Sequence, residues 1–361
     1  MNATGALRIL VVGDSYCPSS AFRHAFRHLD ASHEITFTDV ADTPNWVPRT
    51  PSELRLREYK GSPDQVIAAL NGHEVLVVQG APVTDEVLDA AGGLRLVCCA
   101  RGGPVNIDVA AATSRGVPVV TTPGKNADAV AELTIAFMVM LARRLPEVLR
   151  HVEAGGEFAH DTYEGARWFG HDLAGSTLGL VGFGQIGGRV ARRAHAFGMA
   201  VIVSDPFIDP AEIVAAGCEP VDLASLLERA DFVSIHARAT ADNAGLIGPA
   251  EVARMKPGTY LVNTARESLI DEPAVTAGLA SGRLAGAAFD VVSPSPPSGR
   301  HPFLDFPNVV IATHIGGATF ETLHHGAEMA VAEIERLAAQ EALVNLVNRD
   351  ALAARRTGSA A

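Results

Sequence analysis

The chain has 361 residues, is 48% hydrophobic and 19% charged, and carries a formal net charge of −12. That apolar fraction supports two full cores and excludes wholesale disorder, while the acid excess and the 6% aromatic content exclude a basic or base-stacking nucleic-acid surface. Cys17, Cys98, Cys99 and Cys218 have neither metal-site nor disulfide-framework spacing, residues 1–13 carry no leader pattern, and the most apolar run, 129–142, is too short for a bilayer; a metal-free, membrane-free cytoplasmic protein is expected.

Short apolar runs alternate with helical patterns along almost the whole chain. Strands are expected over residues 7–12, 34–38, 74–78, 95–99, 117–120, 178–181, 200–204, 232–235, 259–263, 285–289 and 309–312. Helices are expected between them over 64–70, 84–91, 127–142, 186–197, 272–280 and 321–339. Continuously apolar strands in this alternation imply parallel sheets covered on both faces, and eleven strands exceed one tidy sheet, so the reading is an α/β protein with two doubly wound domains. A Pro-rich stretch, 42–63, carries Arg49, Arg55, Arg57 and Lys60; it reads as a solvated surface loop or as a basic lid over an anion. Residues 151–174 read as a connection, and 351–361 as a frayed tail.

The strongest local motif is Leu178-Gly-Leu-Val-Gly182-Phe-Gly184-Gln-Ile-Gly187, which closes a strand and opens a helix. Gly182 permits the turn, Gly184 lets backbone approach a pyrophosphate, Gly187 permits close helix packing, and the amides of Gln185 and Ile186 face the phosphates. A tight turn without a ligand would use the same glycines. Asp205, 23 residues after Gly182, closes the next strand and can accept from both ribose hydroxyls while repelling a 2′-phosphate. With no basic residue in Pro206-Phe-Ile-Asp209, NAD is favoured over NADP, although a strand-end aspartate needs no ligand. Two later strand ends offer Arg266 and His314, a cation for a carboxylate and an acid/base for a hydroxyl proton. Taken singly, each is as easily a surface ion pair or a structural histidine.

At these residues the sequence resembles the D-isomer-specific 2-hydroxyacid dehydrogenases, the family of phosphoglycerate dehydrogenase and hydroxypyruvate reductase. The resemblance runs from about residue 74 to 343. It includes Val130-Ala-Glu-Leu133, Leu173-Ala-Gly-Ser-Thr-Leu-Gly179, the glycine motif, Met255-Lys-Pro-Gly258, Asn263-Thr-Ala-Arg266, Leu284-Ala-Gly-Ala-Ala-Phe-Asp-Val291 and His314-Ile-Gly-Gly317. It implies an NAD-binding Rossmann domain over 123–318 and a flavodoxin-like substrate domain made of 1–122 and 319–350. It implies Arg266 as the carboxylate-binding arginine and His314 as the acid/base. Asp205 falls on the ribose, Gln185 and Ile186 on the pyrophosphate, and Thr264, Ala265, Asp290 and Gly317 with Arg266 and His314 around the nicotinamide. Arg101, Gly102 and Gly103 fall on the substrate-binding loop. A homodimer is implied, with no counterpart of the C-terminal regulatory domain of some phosphoglycerate dehydrogenases.

Three departures stand out. Ser295 occupies the position of the family's glutamate beside the catalytic histidine; serine can orient an imidazole but cannot supply an opposite charge. Glu267 follows Arg266 where glycine is usual, and either replaces that carboxylate or pairs with Arg266. Arg238 stands where an apolar residue or proline is more usual, as an extra anion contact or a solvated side chain. The expected function is NAD-dependent hydride transfer on a small anionic 2-hydroxy or 2-oxo acid, phosphoglycerate-like and with room for a phosphate or phosphonate. The alternative is an NAD(H)-sensing, corepressor-like protein with little turnover.

Overall fold

The computed structural model describes residues 6–358 apart from 30, 44–46, 157–163 and 295–298. It divides into two compact units, residues 1–125 with 319–361, and residues 126–318. The divisions fall after Lys125 and after Ala318, the first of them three residues beyond the expected boundary at 122.

The first unit is built on β1 (Arg8–Gly13), β2 (Glu34–Asp39), β3 (Val75–Val78), β4 (Leu96–Cys99) and β5 (Val119–Thr121), all parallel, in the order β2-β1-β3-β4-β5. That is the flavodoxin-like order. β3, β4 and β5 are buried at every position, which is why they read as unbroken apolar runs. One face packs on the helices Pro63–Leu70, Asp85–Ala91 and Val109–Ser114, the other on Arg23–Phe26 and the long helix Phe320–Ala338.

The second unit carries β6 (Thr177–Val181), β7 (Ala200–Ser204), β8 (Glu219–Pro220), β9 (Phe232–Ile235), β10 (Thr259–Asn263), β11 (Leu284–Phe289) and β12 (Val309–Ile311). Their order, β12-β11-β10-β9-β6-β7-β8, is all parallel and reverses direction beside β6, as in dinucleotide-binding sheets. The helices Ala127–Ala142 and Gln185–Ala196 cover one face; Leu223–Arg229, Pro249–Arg254 and Glu272–Ala280 cover the other.

Two expectations are corrected. The expected tail, 351–361, lies outside the described residues over 359–361 and is helical over its described part, within the helix Arg349–Gly358. The buried Asn348 anchors its start: its side chain takes the Val119 amide at 3.1 Å and donates to Thr113 Oγ1 and Val117 O, both at 3.0 Å. The Pro-rich stretch is not a bare loop either. It holds the helix Pro51–Arg55, capped by Thr50, and the buried Glu53 carboxylate takes the Arg49 amide at 2.6 Å. Its cations are mostly compensated. Arg49 pairs with Asp64 and Glu53, Lys60 with Asp42, and Arg55 with the buried Asp108 carboxylate. Burial raises the pKa of Asp108, but hydrogen bonds from Arg55 and Ser52 outweigh it and hold the carboxyl below its ordinary value.

Candidate functional site

The glycine motif leaves β6 where the order of the sheet reverses. Gly182 has φ +99°, and a Cβ there would meet Ala237 N at 2.7 Å and His236 C at 2.8 Å. A Cβ on Gly187 would lie 2.3 Å from Gly182 O, so the first helical turn seats directly on the loop. Gly184, by contrast, faces open space. It caps the helix Gln185–Ala196 with no side-chain hydrogen bond, so the leading amides, those of Gln185 and Ile186 among them, stay available at the positive end of the helix dipole. Gln185 Oε1 accepts from Arg189 at 2.8 Å.

Asp205 follows β7 and is tied to the same turn: Oδ2 accepts from Phe183 N and Oδ1 from Phe207 N, both at 2.8 Å. A carboxylate has roughly four acceptor sites, so capacity remains for hydroxyl donors. The backbone of His236, next after β9, packs against Gly182. Its Nε2 lies 2.9 Å from Ser234 Oγ, while its buried Nδ1 finds no hydrogen-bond partner among the described residues. Burial pushes this imidazole down to about 4, so it is neutral at physiological pH. An open glycine, uncapped amides, a strand-end carboxylate and an orphaned ring nitrogen together fit an adenine dinucleotide.

The second cluster lies at the carboxyl ends of β10, β11 and β12. Asn263 is fully buried; its Oδ1 takes Ala265 N at 3.0 Å and its Nδ2 donates to Arg266 O at 2.8 Å, closing the turn that presents Arg266. Thr264 is buried against Thr134, Oγ1 to Oγ1 3.1 Å. The Arg266 guanidinium is exposed, donates only to its own neighbour Ala265 O at 2.7 Å, and has no carboxylate partner among the described residues. Glu267 therefore does not pair with it; it opens the short 3-10 turn Glu267–Leu269.

Asp290, 2% exposed, organises the histidine loop. Its oxygens accept from Ile315 N at 2.7 Å and Gly316 N at 2.8 Å, and its carbonyl accepts from His314 N at 2.9 Å. His314 itself has φ +60°, a left-handed conformation that costs a non-glycine residue free energy and that this network holds in place. Asp290 N in turn donates to Asn263 O at 3.0 Å, so the arginine turn and the histidine loop share one brace. Gly317, at the end of that loop, packs on Asn126, whose Nδ2 a Cβ would meet at 2.8 Å. The sequence marked Arg266 and His314 but missed Asn263, for which a buried polar residue closing an apolar strand was the available signal.

No ion pair or hydrogen bond joins His314 to a carboxylate among the described residues, and Ser295 lies outside them. Arg238 is exposed, and its carbonyl accepts from Asn243 at 2.9 Å; its side chain has no ion pair among the described residues. In the first unit Arg101 leaves β4 and binds both the Glu58 carbonyl, at 2.7 Å, and the Glu58 carboxylate. Gly102 and Gly103 have open space where a Cβ would sit. No group of three or more potential metal ligands occurs among the described residues, and no described helix is long and apolar enough to cross a membrane.

Residues 135–316 match the family model for the D-isomer specific 2-hydroxyacid dehydrogenase, NAD binding domain. The chain is 35% identical over 288 residues to D-3-phosphoglycerate dehydrogenase of Archaeoglobus fulgidus, covering 80% of this chain and 54% of that protein. It is 36% identical over 303 residues to the Mycobacterium tuberculosis enzyme of the same name, covering 83% and 56%. It thus spans about half the length of the curated relatives it matches. Among solved structures it is similar to the TT0316 protein of Thermus thermophilus, at 32% identity and TM-score 0.73, covering 94% of this chain and all of that one. A glyoxylate reductase from Paecilomyes thermophila gives 27% identity and TM-score 0.71, covering 96% and 99%. Two parallel α/β units, one with a dinucleotide-binding sheet, define the class of protein. Within that class the chain belongs to the D-isomer-specific 2-hydroxyacid dehydrogenase family.

Proposed function

We propose that the protein is an NAD-dependent oxidoreductase acting on a small anionic 2-hydroxy acid or its 2-oxo counterpart, of phosphoglycerate-like type. The observation that carries this reading is the shared brace of Asn263 and Asp290, which presents an arginine with no carboxylate partner among the described residues and a histidine in a constrained conformation at neighbouring strand ends. NAD, when bound, supplies the hydride acceptor or donor. Gly184, Gln185 and Ile186 would hold its pyrophosphate, Asp205 its ribose, and Thr264, Ala265, Asp290 and Gly317 would line the nicotinamide.

In the oxidative direction His314 accepts the substrate hydroxyl proton, and in reduction it returns it. Arg266 holds the carboxylate and stabilises charge on the carbonyl oxygen; donors fixed in advance need no reorganisation at the moment of reaction. Gly102 and Gly103 of the first unit, with open space where a Cβ would sit, would offer backbone amides to an anionic ligand. The NAD-sensing alternative is not favoured, because the family and the curated relatives are dehydrogenases and the sequence keeps both an arginine and a histidine at the expected strand ends.

The decisive experiment follows NADH and NADPH oxidation with plain, phosphorylated and phosphonate-bearing 2-oxo acids. Turnover that prefers NADH and falls at least about 1000-fold in His314→Ala is expected, within the usual range for removing an acid/base together with its proton path. NADH binding with no turnover on any member would overturn the enzymatic reading.

A homodimer is part of the same proposal. Leu145, Leu149 and Val152 stand on one face of the helix Leu145–Glu153, all exposed, and Phe169 is 78% exposed. Leu145, Trp168 and Phe169 line a cleft of about 510 Å³ in the same region. Apolar side chains grouped in this way support the reading of this face as the contact between two copies.

A further inference from the structure

Lys125 ends the turn that follows β5, and its side chain runs along Gly326 of the helix Phe320–Ala338. A Cβ on Gly326 would lie 2.9 Å from Lys125 Cδ and 3.3 Å from Nζ, with Ala100 O, just past β4, at 3.6 Å. The glycine thus leaves the passage that the lysine stem fills. Lys125 is partly buried and makes no ion pair or side-chain hydrogen bond among the described residues. The charges around it are already committed. The Asp14 carboxylate takes the amides of Tyr16, Cys17 and Gly80, and Arg101, the like charge that also acts on Lys125, is held by Glu58. The neighbouring thiols, Cys17 and Cys99, are pushed up by burial to about 12 and stay neutral. A cation kept in such a place without a counter-ion is costly, and burial indeed lowers the lysine pKa from its ordinary value.

A second, independent observation lies three residues earlier. Thr122 is 2% exposed, and its Oγ1 has no hydrogen-bond partner among the described residues. Its amide donates to Arg101 O at 2.8 Å, which sets the Lys125 turn directly against the loop Arg101-Gly102-Gly103. There the two glycines leave open space. A buried hydroxyl and a partly buried ammonium, neither with a side-chain partner among the described residues, therefore border an open glycine loop at the carboxyl edge of a parallel sheet, where such folds bind ligands.

We infer that Lys125 and Thr122 form a receptor for a second anionic group on the substrate, a phosphoryl or comparable oxyanion, so that these two residues set specificity for 2-oxo acids carrying a distal negative charge. The inference deepens the proposed activity and rests on it for the word substrate, but the oxyanion site itself is testable without turnover.

The probe is inorganic phosphate, titrated calorimetrically into the full chain and into Lys125→Met, Lys125→Arg, Thr122→Val and Arg266→Gln. Loss of a charge-assisted hydrogen bond weakens phosphate binding about tenfold or more in Lys125→Met, and Thr122→Val weakens it less. Lys125→Arg, which keeps the charge, stays close to the parent, and Arg266→Gln retains the site. In turnover, Lys125→Met shifts the ratio of KM values for a phosphorylated and an unphosphorylated 2-oxo acid by about tenfold against the phosphorylated one. Phosphate affinity unchanged in Lys125→Met, no phosphate binding by the parent, or loss in Arg266→Gln alone would each overturn the assignment. Absence of turnover with intact, Lys125-dependent phosphate binding would instead count against the dehydrogenase reading and leave the oxyanion site standing.

Discussion

The Asp290 carboxylate meets two consecutive amides of the loop that carries His314, and its backbone meets both His314 and Asn263. It acts on chemistry through the histidine's position. In Asp290→Asn the side chain keeps one acceptor oxygen but turns an NH₂ toward an amide donor, leaving a buried group unsatisfied. That costs about 1–3 kcal/mol of stability, measurable in urea. At temperatures where the variant is fully folded, kcat falls about 100-fold, the scale of a 1 Å misplacement. The solvent deuterium isotope effect grows, because proton transfer through a displaced His314 becomes limiting. A stability loss with unchanged kcat and isotope effect would reduce Asp290 to a purely structural role. Arg266 and His314 were legible because each ends an apolar strand, and a strand end in such a sheet is a place for chemistry. Asn263, Lys125 and Thr122 were not legible. Their meaning depends on which partner each does or does not meet after folding: an amide two residues on, a glycine 201 positions away, or nothing.

Element boundaries in the sequence were clearest where turn or charged residues bracket an apolar run, not where burial is complete: the fully buried β5 begins two residues later than expected. β7, β9 and β10 lie where the apolar runs put them, as do the helices Ala127–Ala142 and Glu272–Ala280. β8 escaped because a two-residue edge strand, Glu219–Pro220, has no pattern to read. The helix Leu145–Glu153 escaped for another reason: its apolar side chains alternate with Arg150, His151 and two glutamates, so it reads as solvated chain. Those same apolar residues lie exposed at intervals of four and three, with Phe169 nearby. If this face is the dimer contact, Leu149→Glu places a charge where the partner would bury it. The expected result is a shift from dimer to monomer in sedimentation at micromolar concentration, with the fold kept, since Leu149 is 51% exposed and contributes little to its own core. Unchanged sedimentation of parent and variant as dimers would move the interface elsewhere.

At the scale of the whole molecule, the response to mild acid, above the carboxylate range, includes a residue at the cofactor turn. His236 is held to about 4 by burial, against about 6.5 for histidine in an unfolded chain. Below pH 6.5 the unfolded chain therefore takes up a proton that the folded one refuses, and stability falls with pH until about 4, where the folded state also protonates. The sign follows from neutral burial; a histidine gaining an acidic partner would give the opposite slope. The cost between pH 7 and pH 5 is about 2 kcal/mol at one proton's difference. The position makes it consequential. Gly182 packs on the His236 backbone, and a Cβ on Gly187 would lie 3.9 Å from the His236 Cβ, so a charged ring there would sit beside the positive end of the helix Gln185–Ala196. Acid should therefore loosen the dinucleotide turn before it unfolds the sheet, weakening NADH binding along with stability. In urea titrations at the two pH values, His236→Asn, which cannot titrate, removes most of that difference while the parent shows it. Equal pH slopes in parent and variant would mean that the acid response arises from other groups, and that the buried imidazole accepts its proton without penalty.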